Sequence, residues 1–253
     1  MMHSGIHAVA ARGFTSGADV YERARPTYPA DAVAWITHRL AIGPGRTVLD
    51  LGAGTGKLTR QLVPTRARIV ALEPLEAMRE HLAAAVPEAE VLAATAEAIT
   101  LPDGTIDAVV CAQAFHWFRP GEALAEIHRV LRPGGGLALI WNQRDLSDAT
   151  QATIDAILVP YQADVRHQLD EVDERDALAE SPLFGDVEHR TWPLEQHLSL
   201  AGLLEVVASR SYISALDEAA RAAALQEVRE AVADLGEHIL LRYVTDVFVA
   251  DRA

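Results

Sequence analysis

The sequence predicts an α/β fold in which a mostly parallel sheet has helices on both faces. Between residues 46 and 142, short apolar runs alternate with stretches whose apolar residues recur at helical spacing. A glycine-rich turn follows the first apolar run, and turns containing glycine or proline separate several later ones. Strands that alternate with helices pair in parallel, because each helix returns the chain to the same end of the sheet.

Five strands are predicted in this region, each a short run that is mostly rich in valine, isoleucine or leucine. They cover residues 47–51, 68–72, 89–93, 107–111 and 136–141. Amphipathic spacing predicts helices between the first three strands and before the fifth, over residues 58–63, 78–86 and 122–131.

The whole chain, residues 1–253, is expected to form one domain. Residues 1–40 contain an aromatic and basic cluster followed by a predicted helix over residues 31–40, and we interpret this segment as a lid. Residues 41–145 hold the alternating strands and helices. The lid would therefore precede the core of the fold.

After residue 145 the regular alternation of strands and helices ends. Residues 146–186 are predicted to be a helical insertion, with one long helix over residues 148–166 and an acidic, solvent-exposed stretch after it. Residues 187–253 are expected to complete the sheet with two strands, over residues 187–192 and 245–250, and with helices between them.

Composition narrows the possible functions. Half of the 253 residues are hydrophobic and 23% are charged, as in folded globular proteins. The formal net charge of −14 repels phosphate backbones and anionic lipids, so neither nucleic acid nor a membrane is expected as a partner. The single cysteine, Cys111, cannot form an internal disulfide or a zinc cluster, and no metal site is predicted. With no signal-like start and no long apolar stretch, a cytoplasmic location is expected.

The most informative motif is an apolar strand that runs into three alternating glycines and then into a helix, Val48-Leu49-Asp50-Leu51-Gly52-Ala53-Gly54-Thr55-Gly56-Lys57. Glycines allow a sharp turn and a close approach to a ligand, and the helix start offers free N–H groups. A dinucleotide loop, G-x-G-x-x-G, would need glycine where Lys57 stands. A phosphate loop would need serine or threonine where Leu58 stands.

The D-x-G-x-G-x-G form of this loop resembles motif I of class I S-adenosylmethionine-dependent methyltransferases. In that family the loop lies against the methionine part of the cofactor. Glu73 directly follows the second predicted strand, so its carboxylate would stand at the same edge of the sheet and could accept both ribose hydroxyls.

Other motifs extend the resemblance over residues 14–144. Residues 94–99 look like the family's adenine loop, with Thr95 where many members have an acidic residue. Residues 111–118 resemble motif IV of the type 11 and trans-aconitate methyltransferase-like subgroup. Residues 21–29 and 131–135 match patterns of the same subgroup.

The resemblance implies a Rossmann-like fold whose seven strands have the order 3-2-1-4-5-7-6, with the last strand antiparallel. Residues 41–145 would then be the cofactor-binding core, with S-adenosylmethionine as cofactor and S-adenosylhomocysteine as product. The residues expected to contact the cofactor are Tyr21, Arg25, Asp50, Gly52, Ala53, Gly54, Thr55, Gly56, Glu73, Pro74, Met78, Thr95, Ala96, Glu97 and Gln113.

These motifs predict less about the site for the methyl acceptor than about the cofactor site. Methyl transfer is an in-line displacement, so positioning alone can supply much of the acceleration. Where a proton must leave, His116 is the candidate base, with a packed or structurally hydrogen-bonded histidine as the alternative. The expected acceptor wall is Tyr28, Phe115, Trp117, Asn142 and Arg144. Four arginines could pair with an acidic acceptor, Arg12, Arg23, Arg25 and Arg144.

Three functions stay open on the sequence. The first is a methyltransferase for a small-molecule acceptor, which the acidic charge favours over a protein or nucleic-acid substrate. The second is a non-enzymatic regulator that binds S-adenosylmethionine. The third is a nicotinamide-dependent oxidoreductase with an irregular loop, which Lys57 disfavours.

Overall fold

Seven strands form one sheet in the computed structural model, which describes residues 22–162 and 174–253. In chain order they are β1 (Thr47–Leu51), β2 (Arg68–Leu72), β3 (Glu90–Leu92), β4 (Ile106–Ala112), β5 (Leu131–Arg144), β6 (Glu188–Leu198) and β7 (Ile239–Asp251). Their spatial order is β3-β2-β1-β4-β5-β7-β6. Strands β1 to β5 pair in parallel, and β7 is antiparallel to β5 and β6. The predicted fold, strand order and antiparallel last strand are confirmed.

The helices with described bounds connect these strands. They are α1 (Ala30–Arg39), α2 (Lys57–Leu62), α3 (Glu76–Ala85), α4 (Pro120–Val130), α5 (Ala149–Leu158), α6 (Glu174–Ala179), α7 (Leu200–Ala208), α8 (Ser211–Ser214) and α9 (Glu218–Ala231). Asp148, Ser199 and Asp217 cap α5, α7 and α9, each accepting a hydrogen bond from the N–H three residues further on. No helix among the described residues has the length and apolar character needed to span a membrane.

The core occupies both faces of the sheet. Leu49 and Leu51 of β1 pack on the face covered by α4, whereas Val48 packs on the face covered by α1 and α2. This alternation follows from the two-residue period of a strand. A third apolar cluster joins α5, α7 and α9 to the first half of β7, and it includes Tyr243. The C-terminal helices are thereby fixed beside the sheet edge where β5 ends.

The predicted helix over residues 148–166 is wrong in its length, because α5 ends at Leu158 and a 3-10 turn follows over Val159–Gln162. Pro160 explains the change, since it has no N–H to donate to the carbonyl four residues earlier. The rest of that prediction, and much of the acidic stretch, lies outside the described residues.

Strands β5 and β7 are longer than predicted, and the difference matters for function. They pair antiparallel from Gly136↔Asp251 to Arg144↔Tyr243. Polar residues form the end of β5, so a prediction based on apolar runs ends the strand too early. The backbone hydrogen bonds between paired strands form whatever the side chains are. The extension carries Arg144 and Tyr243 beyond the edge of the parallel strands.

Candidate functional site

A cleft lies at the carboxyl ends of β1, β2 and β4, where ligands bind in open parallel sheets. It encloses about 940 Å³, including its opening to solvent, and we call it the main cleft. Most residues expected to contact a cofactor line it, namely Gly52, Ala53, Gly54, Thr55, Glu73, Pro74, Met78, Thr95, Ala96, Glu97 and Gln113. Tyr21 lies outside the described residues.

The three glycines after β1 have different roles. All have positive φ, 71° at Gly52, 56° at Gly54 and 88° at Gly56. A Cβ at Gly52 would lie 2.7 Å from Ala114 Cβ, and one at Gly56 would lie 2.5 Å from Leu82 Cδ1. A Cβ at Gly54 would meet no atom within 4 Å. Gly52 and Gly56 therefore permit packing, whereas Gly54 leaves open the space that a ligand can use.

Glu73 is fixed rigidly on the floor of the main cleft. One carboxylate oxygen accepts a 3.0 Å hydrogen bond from Gly54 N–H, and the other accepts a 2.9 Å bond from Leu75 N–H. The side chain is 6% exposed. Burial raises its pKa against the opposing effect of these two backbone donors. A carboxylate oxygen has two lone pairs, so each can accept one more hydrogen bond from a ligand.

Asp50 lies behind the loop and does not line the main cleft. It is fully buried, and Thr59 Oγ1 donates a hydrogen bond to its Oδ2. Burial, together with the charge of Glu73, raises the pKa of Asp50 to about 7. Gly56 also lies away from the cleft wall, against Leu82. Asp50 and Gly56 thus support the conformation of the loop from its buried side.

The N-terminal segment is attached to the glycine loop through Glu22. Thr55 Oγ1 donates a 2.6 Å hydrogen bond to its carboxylate, Arg60 lies 3.1 Å away, and Lys57 Nζ donates to its backbone carbonyl. The hydrogen bond from Thr55 and the charges of Lys57 and Arg60 lower the pKa of Glu22, against the effect of burial. We did not single out this contact from the sequence.

A second cleft of about 680 Å³ adjoins the main cleft, and we call it the side cleft. Tyr28, Lys57, Gln113 and Trp117 line both. Its other walls are Arg25, Pro26, His116, Asn142, Ser211 and Tyr243. The expected acceptor residues Tyr28, Trp117 and Asn142 thus come together there. Phe115 does not line it, because its ring is fully buried against Phe118.

His116 is half-buried in the turn after β4, and its ring lies beside Trp117 with centroids 4.7 Å apart. Neither ring nitrogen makes a hydrogen bond within the described residues, so the structurally hydrogen-bonded alternative is not supported there. Burial, with a contribution from the charge of Arg25, lowers its pKa to about 4. The imidazole is therefore neutral at pH 7 and is a weaker base than an ordinary histidine.

Asn142 connects the parts of the protein that surround the side cleft. Its amide nitrogen donates to Thr27 O at 3.1 Å, and its amide oxygen accepts from Thr245 Oγ1 at 2.7 Å. Gln113, which has φ of 55°, donates to Asn142 O at 3.2 Å. A positive φ outside glycine is uncommon and often marks a functional position.

Arg25 lines the side cleft and not the main cleft, where a contact with cofactor was expected. Its guanidinium donates to Ser209 Oγ at 2.9 Å and to Ser209 O at 3.2 Å. Arg144 lies next to this region and pairs with Asp155. Among the described residues, no group of three or more histidine, cysteine or carboxylate side chains could hold a metal ion.

The C-terminal part of the chain contributes to the side cleft in a way that no sequence motif predicted. Ser211 and Tyr243 line it, and both lie outside the region covered by motifs. One signal was available. Arg210 lies between the apolar helix α7 and Ile213, and a charged residue among apolar ones can indicate a buried polar site. In the structure Arg210 is only 3% exposed.

Comparison with known proteins gives a consistent result. A family model described as "Methyltransferase domain" matches residues 49–139. An uncharacterized methyltransferase of Mycobacterium bovis is 40% identical over 220 residues, covering 87% of this chain and 85% of that protein. An uncharacterized methyltransferase-like protein of Schizosaccharomyces pombe is 35% identical over 199 residues, covering 78% of this chain and 77% of that protein.

Solved structures share the fold. A type II methyltransferase candidate from Anaeromyxobacter dehalogenans has a TM-score of 0.64 at 24% identity, covering 90% of this chain and 97% of that one. Phosphoethanolamine N-methyltransferase 2 of Haemonchus contortus, in complex with S-adenosyl-L-methionine, has a TM-score of 0.60 at 13% identity, covering 99% of this chain and 60% of that one.

Proposed function

Since the chain belongs to the methyltransferase domain family, we propose that it transfers a methyl group from S-adenosylmethionine to a small molecule in the side cleft. One observation carries the proposal. The open face of Gly54 and the carboxylate of Glu73 share the main cleft, and the side cleft begins at the residues that line both. Donor and acceptor can thus be held side by side.

The residues of the main cleft fit the cofactor. The backbone at Gly52 and Gly54 would hold the methionine part, where Gly54 leaves the space that a Cβ would otherwise take. Glu73 would accept the ribose hydroxyls with its remaining lone pairs. The adenine would lie between the loop after β3, at Thr95 and Ala96, and the residues after β2 on the opposite wall.

When bound, S-adenosylmethionine supplies a methyl group on a positively charged sulfur. Gln113 and Trp117 line both clefts, so they are in position to align an acceptor with that group and to exclude water. His116 accepts the proton that an alcohol or a protonated amine must release, because its neutral ring opens on the side cleft. An acceptor that is already ionised would need only positioning.

The test combines binding and turnover. Calorimetry should detect S-adenosylhomocysteine binding, and a panel of carboxylates, phenols and amines should yield S-adenosylhomocysteine from S-adenosylmethionine. His116→Ala should lose turnover of phenols and amines, whereas His38→Ala, at an exposed position on α1, should not. Cofactor binding without turnover of any acceptor would favour a regulator, and binding of NADH alone would favour an oxidoreductase.

A further inference from the structure

Gln113 has a backbone conformation that is unusual for its place in the fold. Three non-glycine residues of the described part of the chain have positive φ, namely Ala41, Arg66 and Gln113. Ala41 follows the cap of α1 and Arg66 caps the 3-10 turn Val63–Thr65, and helix ends commonly adopt this conformation. Gln113 instead follows β4, with φ of 55°, where it lines both clefts. Backbone strain at such a position points to a functional constraint.

The side-chain amide of Gln113 has one engaged end and one free end. Gln113 Nε2 donates to Asn142 O at 3.2 Å. Because a carbonyl can only accept, the amide nitrogen must be the atom that faces Asn142. Gln113 Oε1 accepts no hydrogen bond from the described part of the chain. The oxygen is therefore the atom that remains for a ligand.

The surroundings of Gln113 fix this amide in place. Asn142 is itself held, since its amide nitrogen donates to Thr27 O at 3.1 Å and its amide oxygen accepts from Thr245 Oγ1 at 2.7 Å. Gln113 N–H donates to Ile140 O at 2.9 Å. Both the backbone and the amide of Gln113 are thus attached to β5, so its free oxygen is preorganised for binding.

The rest of the side cleft suits a neutral ligand that can donate a hydrogen bond. The ring of His116 is neutral at pH 7, so one of its nitrogens is a second acceptor in this cleft. Tyr28, Trp117 and Tyr243 add aromatic surface, which packs well against a flat ring. A carboxylate has no hydrogen to donate at this pH, and its oxygens would repel the lone pairs of Gln113 Oε1.

We propose that Gln113 determines the class of methyl acceptor, because its Oε1 accepts a hydrogen bond from a neutral hydroxyl or amine group and disfavours a carboxylate. This inference rests on the proposed function and specifies its substrate class. Gln113 lines both clefts, so a hydrogen bond from the nucleophilic O–H or N–H orients that group at the wall where the clefts meet. Specificity then comes from one favourable contact and one repulsive one.

Binding to the protein saturated with S-adenosylhomocysteine tests this assignment without requiring turnover. Titrations followed by NMR at pH 7 would use phenol and aniline as neutral donors, toluene as a neutral probe of similar size with no donor, and benzoate as the carboxylate. Phenol and aniline should bind more tightly than toluene and benzoate. Binding of toluene or benzoate that equals or exceeds that of both donors would overturn the proposal.

Two substitutions of Gln113 separate ligand recognition from a structural role. Gln113→Met keeps the length of the side chain and the backbone strain but removes the accepting oxygen. It should weaken the binding of phenol and aniline by roughly 3- to 10-fold, the scale of one neutral hydrogen bond, and leave toluene unchanged. Gln143→Met, at an exposed position on β5, should alter none of these affinities. An equal loss for all four probes in Gln113→Met would show a structural role and overturn the proposal.

Gln113→Gly has opposite expected effects on stability and on recognition. Glycine adopts positive φ without strain, so this variant should unfold at a temperature about 2–4 °C higher than Gln113→Met. It should nevertheless lose the preference for phenol and aniline to the same extent. Since loss of folding cannot explain weaker binding in the more stable variant, a retained preference in Gln113→Gly would overturn the proposal even if Gln113→Met does not fold.

The outcomes also distinguish this inference from the proposed function. If S-adenosylhomocysteine binds and the wild type shows no preference for the two donor probes, the role of Gln113 is wrong while the methyltransferase proposal stands. If S-adenosylhomocysteine does not bind, the proposed function itself fails.

Discussion

Gly54 donates its backbone N–H to the carboxylate of Glu73 at 3.0 Å, which joins the loop after β1 to the loop after β2. The main cleft is thereby organised before a ligand arrives, since the carboxylate is also fixed by Leu75 N–H. Preorganisation of this kind lowers the entropic cost of binding.

Replacing Glu73 by Ala should weaken S-adenosylhomocysteine binding by about 1–3 kcal/mol, the usual effect of removing a charged hydrogen-bond acceptor. Calorimetric titration measures the change. Glu76→Ala is the matched control, because Glu76 is exposed at the start of α3. Unchanged affinity in Glu73→Ala would remove Glu73 from the cofactor site.

Alanine at Gly54 and at Gly45 separates backbone strain from ligand contact. Both positions have positive φ and open space around a new Cβ, so each substitution should cost about 1–2 kcal/mol of unfolding free energy. Gly54→Ala should also weaken S-adenosylhomocysteine binding at least tenfold, because its methyl group enters the main cleft. Thermal unfolding and calorimetry provide the two measurements. Similar affinities in the two variants would contradict the role of Gly54.

Gly52→Ala should be more damaging to stability than either of these variants. Its Cβ would lie 2.7 Å from Ala114 Cβ, in addition to the strain of a positive φ. We expect a loss of roughly 2–4 kcal/mol, measured by chemical denaturation. A loss no larger than that of Gly45→Ala would show that the packing at Gly52 relaxes easily.

His116 should make stability depend on pH between about 4 and 6.5. Its pKa is about 4 in the folded state and near 6.5 when unfolded, so the unfolded chain binds an extra proton in this range. The stabilisation is complete above pH 6.5 and is lost as the pH falls toward 4. Unfolding measured at several pH values should show this contribution, of roughly 1–3 kcal/mol, disappear in His116→Gln but persist in His38→Gln. The same slope in both variants would contradict the lowered pKa.

Glu22→Gln should loosen the attachment of the N-terminal segment to the glycine loop. The contacts with Thr55 and Arg60 stabilise the ionised carboxylate, so their contribution exists above its unfolded pKa and is lost as pH falls through the lower folded pKa. At pH 7 we expect faster amide exchange in residues 23–29. Glu205→Gln, which affects an exposed pair at 3.8 Å, is the control. Equal exchange in both variants would contradict this role of Glu22.

Local patterns predicted the parallel half of the fold well. The bounds of β1 and β2 were predicted without error, because both strands are buried on both faces and consist largely of apolar residues. The glycine loop could also be recognised from the sequence. Its three alternating positions have positive φ, a conformation that glycine adopts far more readily than other residues.

The acceptor side could not be predicted in the same way. Arg144, Asp155 and Arg210 come together only because the β5–β7 ribbon extends past the sheet edge and α5 and α7 pack beside it. The periodicity of apolar residues does not predict contacts between side chains that lie this far apart in the sequence. Phe115 shows the opposite error, since an aromatic residue expected on the acceptor wall is instead part of the core.

The most direct test of the central claim is a pair of calorimetric titrations of the wild-type protein, one with S-adenosylhomocysteine and one with NADH. We predict saturable one-to-one binding of S-adenosylhomocysteine that Gly54→Ala weakens at least tenfold, and no binding of NADH. Binding of NADH without S-adenosylhomocysteine, or binding of S-adenosylhomocysteine that is indifferent to Gly54→Ala, would contradict a cofactor site in the main cleft.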